Sequence, residues 1–415
     1  MFTENELSVF DFASCISEAI DLVFPVLNNH HKKVAYIAYN IAKEMKLPDN
    51  DTRDIVLAAI LHDIGAFSSA ERKRLATAEF DDSAHNEHCE VGYKLLRKFE
   101  PLENAATLIR YHHIQFDNAL KDTPLGSSIV HLADRLSVLL NEREEILAQI
   151  PEIMGKIEEN SHTFNPDALT ALRKFEKYEY FWIEACSLPI SDMLPERMMF
   201  ARNIIDLDML RSFARVVAQI IDYRSRFTST HSCGVAAVAL ELARISGFSE
   251  RECKMMEIAG FLHDLGKLAI SSEILEKNGS LSYEEFNEMR KHSYYTYAVL
   301  SRIKGLEHIA SLAAHHHERL DGNGYPFHVK GGDISKLARI MAVSDIVTAL
   351  TEDRPYRDGM NCADTLGILT DMVKNDAIDE GVVDDVKANF SYIDGVRLKA
   401  QHEALVDYNE FRSAD

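Results

Sequence analysis

His263-Asp264-Leu265-Gly266-Lys267 opens, and His315-His316-His317-Glu318-Arg319-Leu320-Asp321-Gly322-Asn323-Gly324-Tyr325-Pro326 closes, the stretch of this chain richest in groups that can do chemistry. Adjacent residues of a helix project about 100° apart, so a His-Asp pair does not readily chelate one ion. It suits two, with the imidazole on the first and the carboxylate bridging to the second. One ion could draw on His231, His263, Asp264 and Asp345, and its neighbour on Asp264, His292, His316 and His317. Imidazole and carboxylate without thiolate suit two divalent transition ions, and do not choose among iron, manganese, nickel and zinc. Water held between two such ions is deprotonated near neutral pH and can attack phosphorus in line, so hydrolysis of a phosphate ester fits best. Asp264 is then the catalytic bridge, and Lys267 can neutralise charge developing on the phosphoryl oxygens.

Further residues could hold the substrate. The glycines around Tyr325 let backbone approach a ligand, and the tyrosine can stack on a base or bond to a phosphate. Arg354 and Arg357 follow the Asp345 helix and suit bidentate contacts to phosphate or guanine. Glu318 is expected to bond a ligating imidazole and fix its tautomer. His131, His162, His308 and His328 are read as core residues outside the ligand set.

The same constellation occurs twice. His30 and His62-Asp63 precede His231 and His263-Asp264 by 201 residues (231 − 30 and 263 − 62), while His88 and His112-His113 precede His292 and His316-His317 by 204 (292 − 88 and 316 − 112). Asp134 precedes Asp345 by 211 (345 − 134), so the offset only grows, as insertions in loops would make it. The pattern is that of a tandem duplication. It marks a second possible metal site at His30, His62, Asp63, His88, His112, His113 and Asp134. His315 corresponds to Tyr111, which leaves His316 and His317 as the ligands. The first copy has Ala66 in place of Lys267 and lacks the Gly-Tyr-Pro turn.

These side chains must be carried by helices. Val34, Ile37, Ala38 and Ile41 recur at helical spacing, as do Leu57, Ile60 and Leu61, and no alternating strand pattern is evident. The fold expected is all-α, two tandem helical bundles over residues 1–190 and 196–415. Asn165-Pro166 starts a helix running through Phe175 towards Trp182. The prolines at 189 and 195 mark the linker. From about Glu196 to Arg226 one long amphipathic helix enters the second domain, and could pack the domains together or mediate a homodimer.

Apolar content of 46% and charged content of 27% are those of a globular protein. Lys plus Arg total 45 against 66 for Asp plus Glu, a net charge of −21 that argues against DNA, RNA or an anionic membrane as partner. The six cysteines form no paired framework and read as reduced thiols. The acidic amino terminus is unlike a signal peptide, and no apolar run is long enough to span a bilayer, so the expected location is cytoplasmic.

His263-Asp264, His292, His316-His317-Glu318, Gly324-Tyr325-Pro326 and Arg354-Pro355-Tyr356-Arg357 together resemble the signature of the HD-GYP cyclic-dinucleotide phosphodiesterases over about residues 200–400. The first half resembles the broader HD superfamily of metal-dependent phosphohydrolases. The resemblance implies a metal cluster and hydrolysis of cyclic di-GMP or cyclic GMP-AMP to a linear dinucleotide or mononucleotides. It also implies substrate contacts by Lys267, Tyr325, Arg354 and Arg357. Phe227 stands where some relatives have a third-site glutamate, so two metals are expected. Thr348 stands where many have an aspartate able to read guanine, which motivates an adenine-containing substrate. The first domain is expected to be either a 5'-nucleotidase on the linear product or a regulatory module. The alternative for the chain is a binding module for cyclic dinucleotides or partner proteins, without turnover.

Overall fold

The structure, a computed structural model, describes residues 8–21, 29–66, 71, 74, 80, 86–118, 123–187, 206–223, 230–277, 279–353 and 358–413. Contacts divide the chain into one unit over Ser8–Ile204 and another beginning at Ile205. Both are all-α, with no strand among the described residues.

In the first unit α1 (Val9–Asp21), α2 (His30–Glu44) and α3 (Asp49–Leu61) pack on one another. They are followed by α4 (Asn86–Leu96), α5 (Glu103–Arg110), α6 (Leu125–Leu139), α7 (Ile146–Glu159), α8 (Pro166–Phe175) and α9 (Glu179–Ser187). Helix α2 is the axis of the bundle: Val34, Ile37, Ala38 and Ile41 are fully buried, and even Lys32 is covered, its ammonium held 2.6 Å from Glu18. A charge so placed needs a partner to offset its lost hydration.

The second unit repeats this plan. After α10 (Leu207–Tyr223) come α11 (His231–Ile245), α12 (Glu250–Leu262), α13 (Tyr283–Leu300), α14 (Glu307–Ala314) and α15 (Lys336–Thr351), then α16 (Cys362–Lys374) and α17 (Glu380–Ser413). Helices α2 and α11 have 15 residues each, α3 and α12 have 13, and α5 and α14 have 8. The repeat seen in isolated residues is thus a repeat of elements. Local signals set where they begin: Ser249 with Glu252, and Ser282 with Glu285, form reciprocal capping boxes at α12 and α13.

Two expectations change. The single helix from Asn165 towards Trp182 is two: α8 begins as expected, Asn165 accepting from the amides of Asp167 and Ala168, but ends at Phe175. The break lets α9 turn so that Phe181 stacks on Phe175 with ring centres 4.6 Å apart, and the Trp182 indole donates to the Phe175 carbonyl at 3.0 Å. Among the four histidines assigned to the core, His131 is buried against Phe164, but His162, His308 and His328 are exposed on a short turn, a helix start and a loop. The proposed linker and residues 196–205 and 224–226 of the long amphipathic pattern lie outside the described residues; α10 is the part described.

Candidate active site

The second unit draws the side chains expected to ligate metal from five elements. His231 is the first residue of α11, His263 and Asp264 follow α12, and His292 lies within α13. His316 and His317 sit in a 3-10 turn after α14, and Asp345 is in α15. The approach of α13 to the His263-Asp264 turn requires Gly266, where a Cβ would lie 1.9 Å from the His292 carbonyl oxygen. Gly65 is under the same constraint, with a Cβ 2.1 Å from the His88 carbonyl oxygen.

Backbone carbonyls decide which nitrogen of each imidazole faces the site. Nδ1 of His263, His292 and His316 lies 2.8, 2.7 and 2.6 Å from the carbonyls of Gly260, Met289 and Ala313. A carbonyl only accepts, so Nδ1 carries the proton and Nε2 presents a lone pair. His231 is fixed by a side chain instead, its Nδ1 donating to Glu352 at 3.0 Å.

The nitrogens then converge on carboxylates. Asp264 offers Oδ2 to His263 Nε2 at 3.2 Å and Oδ1 to His292 Nε2 at 3.5 Å, one oxygen to each half of the site. Asp345 Oδ1 is 3.2 Å from His231 Nε2, and its Oδ2 is 3.9 Å from His317 Nδ1. His292 Nε2 and His316 Nε2 face each other at 3.1 Å. Two lone pairs directed at one another repel unless a cation sits against both, so these residues fit a divalent ion. Donor atoms of His231, His263 and Asp264 form one group that could hold an ion, and those of His292, His316 and His317 another.

Charges divide accordingly. Burial pushes His292 down to about 3 and His317 down to about 4, which keeps both neutral and able to ligate. Burial also opposes charge on His231, but Glu352 and Asp345 outweigh it and raise its pKa. Burial works against ionised Asp264 as well, yet His263 and Lys267 hold its carboxyl well below the usual range. Lys267 Nζ is on Asp264 Oδ2 at 2.5 Å, so the structure brings this expected substrate contact onto the carboxylate expected to bridge the metals.

Tyr325 is at the mouth, its ring 4.7 Å from that of His317. Gly324 permits this, since a Cβ there would lie 2.4 Å from the Arg319 amide nitrogen and 2.6 Å from the His317 carbonyl oxygen. The Arg290 guanidinium lies 5.3 Å from the Tyr325 ring centre and 5.9 Å from that of Phe286, which is 44% exposed. An aromatic and cationic rim therefore borders the groups that could hold a metal. Arg354, Arg357 and Phe227 lie outside the described residues.

One expected role is corrected. Glu318 does not bond an imidazole: its carboxylate accepts from the backbone amides of Phe327 and Val329 at 2.7 and 3.1 Å, closing the loop that bears Tyr325. The tautomer-fixing carboxylate is Glu352, missed in the sequence although it lies two helical turns beyond Asp345. Thr348, which stands where many relatives have an aspartate, is fully buried, and a Cβ at Gly234 would lie 2.9 Å from its methyl group, so it packs between α11 and α15.

The first unit builds a similar site. Asp63 gives Oδ2 to His62 Nε2 at 3.4 Å and Oδ1 to His88 Nε2 at 3.3 Å, while Asp134 Oδ1 is 3.2 Å from His30 Nε2. Nδ1 of His62 and His112 donates to the carbonyls of Ala59 and Ile109. The rings of His112 and His113 are 4.1 Å apart. Burial lowers the pKa of His112 and of His30; for His62 burial is outweighed by Asp63 and Asp134, which raise it to about 9. The cation here is Arg135, fully buried and 2.5 Å from Asp134 Oδ2, where the second unit has Lys267 on the other aspartate. Only the Asp-Arg dipeptide hinted at it.

The HD domain family matches residues 28–139, and a further HD domain family matches residues 215–382. The 3'3'-cGAMP-specific phosphodiesterase 1 of Vibrio cholerae is 29% identical over 393 residues, covering 90% of each chain. The 3'3'-cGAMP-specific phosphodiesterase 3 of that organism is 35% identical over 247 residues, 59% of this chain and 53% of its own. A cyclic di-GMP phosphodiesterase of Pseudomonas aeruginosa is 38% identical over 141 residues, 34% of each chain. The crystal structure of a cyclic GMP-AMP-specific phosphodiesterase of V. cholerae superposes with a TM-score of 0.62 at 21% identity, covering 92% of this chain and 98% of the other, and so shares the fold. Two HD domains in tandem, each built around its own His-Asp cluster, thus make this chain a member of the HD family, homologous to the HD-GYP phosphodiesterases.

Proposed function

We propose that the second domain is a metal-dependent phosphodiesterase that opens the ring of a cyclic dinucleotide, 3'3'-cyclic GMP-AMP or cyclic di-GMP, to a linear dinucleotide. The observation that carries this reading is Asp264, with one oxygen towards each of two imidazole groups beside an aromatic and cationic rim. Two divalent ions would be held by His231, His263, Asp264 and Asp345 and by Asp264, His292, His316 and His317. When bound they supply an activated nucleophile and neutralise the phosphoryl oxygens. Asp264 orients both halves of the centre, and Lys267, beside it, is placed to meet negative charge developing on the phosphodiester. Tyr325, Phe286 and Arg290 offer faces on which a base can stack. Arg354 and Arg357 are proposed to bind phosphate or guanine. Cyclic GMP-AMP is the first substrate to test, because the relative covering 90% of each chain bears that specificity in its name.

The first domain is proposed to be a 5'-nucleotidase on the linear product. It has its own ligand set and a buried arginine but no Gly-Tyr-Pro turn, which suits a smaller phosphate ester. Product chromatography on both cyclic substrates tests the scheme. His263→Ala should abolish ring opening, whereas His62→Ala should leave ring opening intact and let the phosphorylated linear product accumulate. If the metal-loaded wild type consumes neither substrate, a binding module without turnover takes its place.

A further inference from the structure

We propose that Cys89 is a metal ligand of the first domain, making that centre a mixed imidazole, carboxylate and thiolate site unlike the one in the second domain. Cys89 follows His88 in α4 and is 2% exposed. Its Sγ lies 3.6 Å from His88 Nε2 and 3.5 Å from His112 Nδ1, and it belongs with His88, His112 and His113 to a group whose donor atoms could hold one ion. With zinc–sulfur and zinc–nitrogen bonds of about 2.3 and 2.0 Å, tetrahedral geometry puts sulfur and nitrogen roughly 3.5 Å apart. Adjacent helix residues do not readily chelate one ion, but here the observed separation of Sγ from His88 Nε2 is that of two ligands of one ion. Nδ1 of His112 already donates to the Ile109 carbonyl, which leaves Nε2 as its coordinating atom. That nitrogen is buried and makes no hydrogen bond.

The second domain supplies the contrast. At the matching position, 204 residues on (293 − 89), stands Ser293, whose Oγ lies 3.2 Å from His292 Nε2. Both copies therefore set the residue after this histidine against its Nε2, but only the first provides an atom that binds a metal strongly. Ligation replaces the S–H bond with an S–metal bond, the proton leaves to solvent, and no electron is transferred. A thiolate turns the site towards zinc or ferrous iron and away from manganese, so the two domains should differ in metal preference.

Cobalt(II) substitution of the full-length chain tests this. Wild type should show a thiolate-to-cobalt charge-transfer band in the near ultraviolet, lost completely in Cys89→Ser and kept in Cys233→Ser, a buried cysteine of the other domain. Zinc K-edge X-ray absorption of wild type needs no variant and should find a sulfur scatterer at about 2.3 Å. No band, a band that survives Cys89→Ser, or zinc bound by light atoms alone would each overturn the proposal.

Discussion

At the scale of single residues, side chains that orient others matter as much as the ligands. Glu352 fixes the tautomer of His231 at 3.0 Å and is itself held by Gln401 at 3.1 Å. A carboxylate behind an imidazole raises its basicity towards a metal. Glu352→Ala should weaken metal binding roughly 10- to 100-fold, and Glu352→Gln, which keeps an acceptor but not the charge, should lie in between. Metal titration followed by calorimetry measures this, and unchanged affinity in both variants would refute the role. Phe286 is argued from its place beside Tyr325 and Arg290. Phe286→Ala should raise KM for the cyclic dinucleotide roughly tenfold. Turnover of a base-free phosphodiester such as bis-p-nitrophenyl phosphate should not change; equal losses on both substrates would mean a structural role.

Between elements, the close approach of α13 to the turn after α12 sets the geometry of the site. Gly266 allows it, and the nearest atoms are backbone, which cannot rotate away as a side chain can. Gly266→Ala should displace α13 and with it His292, costing about 1–3 kcal/mol of stability. Metal affinity should fall although no ligand has been removed. Chemical denaturation and metal titration of the same preparation check both effects, and a stable variant with full affinity would contradict the packing argument. The His-Asp-x-Gly pattern thus has a steric reason as well as a chemical one, repeated at Gly65 in the first unit.

At the scale of the molecule, two units of similar helical order each carry a His-Asp cluster, and a charge of −21 makes both depend on local cations to attract an anionic substrate. Asp379 helps hold the second unit together, accepting from Lys336 at 2.8 Å and Arg339 at 2.9 Å in α15 and from the Val382 amide in α17. Burial opposes its charge, but these partners lower its carboxyl from 3.8 to about 2. A depressed carboxylate stabilises the fold above its unfolded pKa and loses that contribution as pH falls through the folded one. Asp379→Asn should therefore cost about 1–2 kcal/mol equally at pH 7 and pH 5, with the gap closing between about pH 4 and pH 2. Urea denaturation across that range checks it; a gap unchanged below pH 3 would exclude the ionic contribution. Among the described residues no helix is long and apolar enough to cross a membrane. The amino-acid sequence alone determined the all-α class, the duplication and the histidines and aspartates that meet, because helical periodicity and residue spacing are local and the chain states them twice. It misread Glu318 and passed over Glu352, Arg135 and the placement of Cys89. Which side chain stands behind an imidazole or packs between two helices depends on where distant segments cross, and only the tertiary structure decided that.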